Sequence, residues 1–465
     1  MAVEELGIEN SVEHLQQLAT RDPIECTIPE NEKHHLFHQV GAISRYIRDH
    51  FIFPLISKTD PYSKEILKRE DWFSNDLFWN SPYPDLRFPK HEQIKQTFDR
   101  YEQDIVIRQL GKEIKIKCRI IETKDAPKCS KDEVLNHLIV QGNVSTLNNN
   151  MPGVYPFLSS YLEEKERNPE MKPARFIVLT HYHHTVKDLN TNQEGTYLPG
   201  DIDEWMYVFK KTVETVVDRY GQLEMMTGHS LGTLPVVGHL MHVNDDEFKK
   251  LFPKTLFLSQ GPSSVEEVTK KIPLELESYP WGWTTLGLQY LVGKIVYYIT
   301  KYSGWDISLD KILTERFSSL PQNEEIAKKL KDCKVIISEV DNDHYFPGKA
   351  SLCSADAIED FDDRVTLYRL TFNPPLSWGV KRGQHNFNLG LLQRRDLMKE
   401  KLHFQGRKTI HLDSPEAIVE YENQDHPVIL RHGESLVDAV LRSTWSQSCQ
   451  SIAPSLESRV TRLAV

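Results

Sequence analysis

From Asp104 onward the chain alternates short continuous apolar runs with longer stretches of helical periodicity. This alternation restricts its fold more than any other feature. The runs lie at 138–140, 176–179, 223–226, 256–258, 335–337 and 365–368, with predicted helices near 154–164, 201–220 and 231–243 between them. A strand that is apolar on both sides must be covered on both faces, which is the condition of a parallel sheet flanked by helices. Ahead of these runs, Ile105-Val106-Ile107 and the alternating stretch from Ile114 to Ile121 flank Gly111-Lys112 and read as an antiparallel hairpin. The expected fold is α/β, a mostly parallel doubly wound sheet with an N-terminal antiparallel hairpin.

The 465 residues exceed the ~100–200 of an ordinary domain, so the surplus over one sheet needs a place. Residues 1–100 read as a helical N-terminal extension, with apolar positions Phe37, Ile43, Tyr46, Ile47 and Phe51 on one helix that ends at Pro54. Residues 101–400 hold the core, interrupted by a helical cap insertion at 261–332, and 401–465 form a C-terminal extension. In that extension a strand pair near 409–412 and 417–421 is expected, followed by a helix near 435–443.

The net charge of −11 leaves no basic surplus to neutralise a phosphate backbone, so nucleic acid is not an expected partner. Six cysteines without a C-x-x-C pair give neither a zinc ribbon nor a thioredoxin-type redox motif. They read as the free thiols of a reducing compartment. The acidic start, Met1-Ala2-Val3-Glu4-Glu5, lacks the charged-then-apolar pattern of a cleavable signal. A cytoplasmic location is expected, and signal-less export to a host cell would leave no trace in the sequence.

Directly after the run at 223–226 comes Gly228-His229-Ser230-Leu231-Gly232, a complete G-x-S-x-G between a predicted strand and a predicted helix. The turn it makes is so tight that the flanking positions require glycine, and the serine hydroxyl is held above the sheet. The N-terminus of the next helix points at the same place, where its free N–H groups favour a developing anion. Pro235 falls early enough in that helix to be tolerated. The bland alternative is a structural turn whose serine caps a helix. His229, inside the motif, is expected to be a packing residue.

With these residues in place the chain resembles the α/β-hydrolase superfamily of esterases, lipases and thioesterases, over about residues 101–400. It also bears a faint similarity to hydrolase-like proteins of intracellular bacteria such as chlamydiae and legionellae. The resemblance implies a Ser, acid, His order along the chain. The strand near 334–340 runs into Asp341-Asn342-Asp343-His344-Tyr345-Phe346-Pro347, and related enzymes carry the acid four residues before a proline, which favours Asp343 over Asp341. The base implied is His385, in Gly383-Gln384-His385 after the last core strand and 385 − 343 = 42 residues past the acid. Backbone N–H groups of Leu231 and of Asn143, which follows Gly142, would form the oxyanion hole. Gln141 stands where the superfamily often has histidine, and the Gly-Asn pair also fits a plain strand-ending turn.

Thr180-His181-Tyr182-His183-His184 departs from the spacing of a histidine-rich metal motif, because Asp188 stands four residues beyond His184. No metal and no cofactor is expected. The insertion holds a more telling segment, Tyr279 to Thr300, 22 residues with the single charge Lys294. Such a run is a buried cap helix over an acyl pocket, an interfacial lid that contacts a membrane peripherally, or a membrane span weakened by its proline and glycines. On the first reading Trp281, Trp283, Leu288 and Leu291 bind substrate.

The sequence therefore favours a serine hydrolase acting on a carboxylic ester or thioester of an apolar, acyl or lipid-type substrate. The rival reading is a catalytically inactive hydrolase fold serving as a binding or membrane-docking module. Ester turnover dependent on Ser230 separates the two.

Overall fold

A computed structural model describes residues 24–27, 90–109, 111–142, 151–179, 184–197, 199, 201–267, 294, 298, 301, 304–319, 333–340, 346, 350–352, 366–372, 402–403, 409–410, 416–419, 428–431 and 445. Its centre is a run of five parallel pairings. These join β4 (Leu135–Val140), β5 (Ala174–Leu179), β8 (Leu223–His229), β9 (Thr255–Ser259), β10 (Lys334–Val340) and β11 (Thr366–Phe372). These are the six apolar runs of the sequence, and the described residues of β4, β5, β8 and β9 are all buried.

On one side the sheet continues into β3 (Lys112–Thr123) and β2 (Phe98–Gln109), which pair antiparallel through the turn at Gly111, where φ is +74°. A helix α1 (His91–Thr97) leads directly into β2. Within the span expected to be a helical extension, β1 (Ile24–Thr27) is a strand that pairs parallel with β2. A short hairpin, β6 (Thr185–Asp188) with β7 (Glu194–Thr196), hangs from β3.

At the opposite edge β12 (Leu402–His403) and β13 (Thr409–Ile410) add antiparallel strands to the main sheet. β14 (Glu416–Val419) pairs instead with β15 (Val428–Arg431). The strand pair expected near 409–412 and 417–421 is thus not a pair. Each segment finds a different partner, because β12 docks on β11 and takes β13 with it.

The chain order across the sheet is β1-β2-β3-β5-β4-β8-β9-β10-β11-β12-β13. From β4 the chain first steps outward to β5, then returns across β4 to begin β8 and moves the other way. The order therefore reverses between β4 and β8. Open α/β sheets place ligands in the crevice that such a reversal opens beyond the carboxyl ends of the strands.

Helices cover both faces. On one lie α3 (Ile202–Tyr220), α4 (Thr233–Gly238), α5 (Asp245–Leu251) and α6 (Leu309–Ser319), packed against Leu138, Val140, Ile177, Leu256, Leu258, Val335 and Ile337. Asp201 caps α3 by accepting the Glu204 N–H at 2.8 Å, and Gly221, at φ +96°, ends it. Part of the span expected as a cap belongs to this core, since Leu309 and Leu313 of α6 are fully buried against it.

The other face carries α2 (Met151–Arg167), whose Tyr161 meets Phe176 of β5 edge-on. Trp445 joins it from the far end of the chain. Its indole N–H donates to His137 Nε2 at 2.9 Å, while the His137 ring stacks on Phe176 with centroids 5.0 Å apart.

Burial pulls the His137 pKa down to about 3, and burial likewise lowers His239 to about 4. Both imidazoles fold neutral and become protonated on unfolding below the ordinary pKa of 6.5. Their contribution to stability is complete above pH 6.5 and is lost as pH falls toward 4 and then 3, with a slope approaching about 1.4 kcal/mol per pH unit for each proton. Urea midpoints measured from about pH 7 down to about pH 4.5 are expected to fall, and His137→Phe is expected to flatten that fall.

Candidate active site

Ser230 closes β8 at the crevice between β4 and β8. Its φ is +52°, in the left-handed region that a residue with a Cβ occupies at a cost of roughly 1–3 kcal/mol. Close main-chain contacts hold it there. A methyl group built on Gly228 would lie 2.8 Å from the Thr233 Cα and 3.0 Å from the Gly232 carbonyl oxygen. One built on Gly232 would lie 2.4 Å from the Val140 oxygen and 2.7 Å from the Gln141 oxygen. The two glycines flanking Ser230 therefore supply room, so that the turn can fold on itself and press against the end of β4.

Ser230 and Leu231 beside it are half-buried, whereas His229 is buried in the sheet. The turn continues as a 3₁₀ segment, Ser230–Gly232, before α4 begins. The single helix expected over 231–243 is a composite, because α4 ends at Gly238 and a second 3₁₀ segment, His239–His242, follows. Pro235, which has no N–H to give, sits in α4, and its carbonyl is taken by His239 Nδ1 at 3.1 Å.

β4 delivers its exit loop to Ser230. Val140 pairs with Gly228, and a methyl built on Gly142 would stand 3.0 Å from the Ser230 Cβ. Asn143, the next residue, lies outside the described residues, as do Asp341, Asp343, His385, Trp281, Trp283, Leu288 and Leu291. The structure thus brings together Ser230, Leu231 and the root of the expected oxyanion loop. The ends of β10 and β11, from which the expected acid and base depart, fall on the same side of the reversal as β9.

Two positions near the site had no signal in the sequence. Gln260, directly after β9, has φ +50°, although glutamine is not a residue that favours this region. Gly261, next to it, packs its backbone on Thr233, since a methyl there would stand 2.5 Å from Thr233 Oγ1. Neither belongs to a motif, so only the folded chain places them near Ser230.

Of the histidine-rich stretch, His184 is among the described residues, and it has a structural role. His184 Nδ1 accepts the backbone N–H of Lys117 at 3.3 Å, and Asp188 accepts the N–H groups of Asn190 and Thr191 at 2.8 and 2.9 Å. The Thr191 and Asn190 bonds hold the Asp188 carboxyl below the ordinary carboxylate range. Among the described residues no group of three or more His, Cys, Asp or Glu could hold a metal ion. Among them, too, no helix is long and apolar enough to cross a membrane.

No protein-family model and no curated protein matches the sequence. The fold is similar to that of several solved esterases. An esterase of Rhizomucor miehei is 12% identical over 73% of this chain and 97% of its own, at a TM-score of 0.32. A thermostable esterase of Pseudomonas putida is 10% identical over 73% and 92%, at 0.34. An esterase of Pyrococcus furiosus is 12% identical over 65% and 92%, at 0.35.

Proposed function

We propose that the protein is a serine hydrolase of the α/β-hydrolase fold, cleaving a carboxylic ester or thioester of an apolar, acyl or lipid-type substrate. The observation that carries this reading is the left-handed Ser230, wedged between Gly228 and Gly232 at the point where the strand order reverses. A turn needed only to join a strand to a helix would not have to hold a serine at a costly φ above the sheet.

In the proposed reaction Ser230 Oγ attacks the substrate carbonyl while His385 accepts its proton. Asp343, with Asp341 as the alternative, orients the imidazole and stabilises its cation. The N–H groups of Leu231 and Asn143 bind the oxyanion of the tetrahedral intermediate. His385 returns the proton to the leaving group, and water then releases the acyl group from Ser230. These steps need no metal or cofactor. Trp281, Trp283, Leu288 and Leu291 are proposed to line the acyl pocket as part of a buried cap; the alternative for 279–300 is an interfacial lid that contacts a membrane peripherally.

Incubation of the intact protein with a fluorophosphonate tests the assignment. Stoichiometric labelling that disappears in Ser230→Ala is the expected result, together with hydrolysis of acyl esters lost in the same variant. Labelling that persists in Ser230→Ala would overturn it.

A further inference from the structure

Thr233 is fully buried three residues beyond the nucleophile, and both of its donors reach the Ser230 carbonyl. Its hydroxyl donates to the Ser230 carbonyl at 2.7 Å, and its backbone N–H is shared between that oxygen and the Leu231 carbonyl. A threonine that bonds the carbonyl three residues back is common inside helices. Here the acceptor belongs to the left-handed residue that starts the turn, ahead of α4.

The peptide unit is planar and trans, so the Ser230 carbonyl and the Leu231 N–H are rigidly linked and point in opposite directions. A group that fixes the direction of the Ser230 carbonyl therefore also fixes the direction of the Leu231 N–H. We propose that Thr233 is a positioning residue which, by anchoring the Ser230 carbonyl, aims the Leu231 N–H at the oxyanion and holds Ser230 in its left-handed conformation. This rests on the reading of Ser230 as nucleophile.

The hydroxyl is itself held in place. The backbone of Gly261 packs on it so closely that an added methyl would stand 2.5 Å from Oγ1 and 2.6 Å from Cγ2. Gly261 is anchored in turn, since its carbonyl accepts the Leu352 N–H at 2.9 Å and the preceding Gln260 N–H donates to the Ser338 carbonyl at 2.7 Å. On the other side, Gly228 has no Cβ to push the Thr233 backbone away. The ends of β9 and β10 thus brace the threonine, and the threonine braces the peptide that carries the oxyanion donor.

The test compares Thr233→Val, which keeps the shape and deletes the hydroxyl, with Thr233→Ser, which keeps the hydroxyl. Fluorophosphonate labelling rates, ester kcat and KM, the pH profile and melting temperature are measured on the full chain. Thr233→Val is expected to lower the labelling rate and kcat by about 10- to 100-fold, in the range of a displaced oxyanion donor. KM and the pH midpoint should stay in place, because neither substrate binding nor the base is touched. Thr233→Ser should bring both rates back to within about threefold, again by restoring that donor.

Equal rates in Thr233→Val and the unaltered protein would overturn the proposal, as would a folded Thr233→Ser that restores nothing. If Thr233→Val does not fold, Gly261→Ala, which presses on the same hydroxyl, is expected to lower kcat without raising KM, and unchanged kcat there would count against the proposal. Absence of labelling in the unaltered protein would overturn the nucleophile reading, and this inference with it.

Discussion

A Gly232→Ala variant is expected to label with fluorophosphonate about a hundredfold more slowly than the unaltered protein, the scale that a misplacement of about 1 Å costs. The reasoning is geometric. Gly232 has φ −63° and ψ −18°, a conformation that alanine adopts readily, so its backbone does not require glycine. The space does. The added carbon would stand 2.4 Å from the Val140 oxygen and 2.7 Å from the Gln141 oxygen, and both are main-chain atoms of the central strand's end. A flexible side chain could swing aside, but β4 is paired on both sides, to β5 and β8, and cannot.

The turn and β4 must therefore separate by about 1 Å to reach an ordinary contact, which moves Ser230 away from the loop that begins at Gly142. Strain of this kind costs about 1–3 kcal/mol of stability. Gly142→Ala provides the contrast. Its methyl would meet a side-chain carbon, the Ser230 Cβ, at 3.0 Å, so a smaller displacement and a milder loss of rate are expected. Equal labelling in Gly232→Ala and the unaltered protein would show that the contact with β4 does not set the geometry of the nucleophile.

How much of this was legible in the sequence depends on the range of the interactions concerned. The six central strands were visible because each holds a short, largely apolar run, the pattern that burial on both faces imposes. The turn at Ser230 was visible because its steric demand falls on neighbours within two residues, Gly228 and Gly232. The strand order was not, since nothing local says that β5 lies outside β4 rather than beyond β8. β1 was missed because four residues of mixed polarity carry no period, and only pairing with β2 makes them a strand.

Thr233 and Gly261 escaped for a related reason. They are 28 residues apart (261 − 233) and meet only because β8 and β9 are parallel neighbours. The covering role of α6 was hidden inside a span read as a cap, since its apolar positions fit a lid as well as a core. Asp343, His385, Asn143 and the tryptophans of the insertion lie outside the described residues, and their roles rest on the sequence reading.

The second large effect is expected at the other end of the sheet. Glu122→Ala should destabilise the protein by about 3–5 kcal/mol while leaving the labelling rate of the folded molecules unchanged. Glu122 of β3 is fully buried, and its two oxygens accept from Arg175 Nε at 2.6 Å and from the Tyr101 hydroxyl at 2.9 Å. Arg175 also donates to Asn136 Oδ1 at 3.1 Å and lies 4.4 Å over the Tyr220 ring, whose hydroxyl bonds Gln103 at 3.2 Å. Asn136 and Arg175 are second residues of β4 and β5, so the network sits at the amino ends of these strands, and Ser230 at the carboxyl end of β8.

Removing the carboxylate leaves a guanidinium buried without its counter-charge, and the cost of that, rather than the worth of the pair, sets the magnitude. The double variant Glu122→Leu with Arg175→Met removes both charges and is expected to recover most of the loss. Urea midpoints for the two variants, with labelling rates scaled to the folded fraction, separate this effect from one on the site. A double variant no more stable than Glu122→Ala would mean that the remaining polar partners, Asn136 and Tyr101, bear the burden. The expected pattern places stability at the amino ends of the central strands and chemistry at their carboxyl ends, the division that an open α/β sheet imposes.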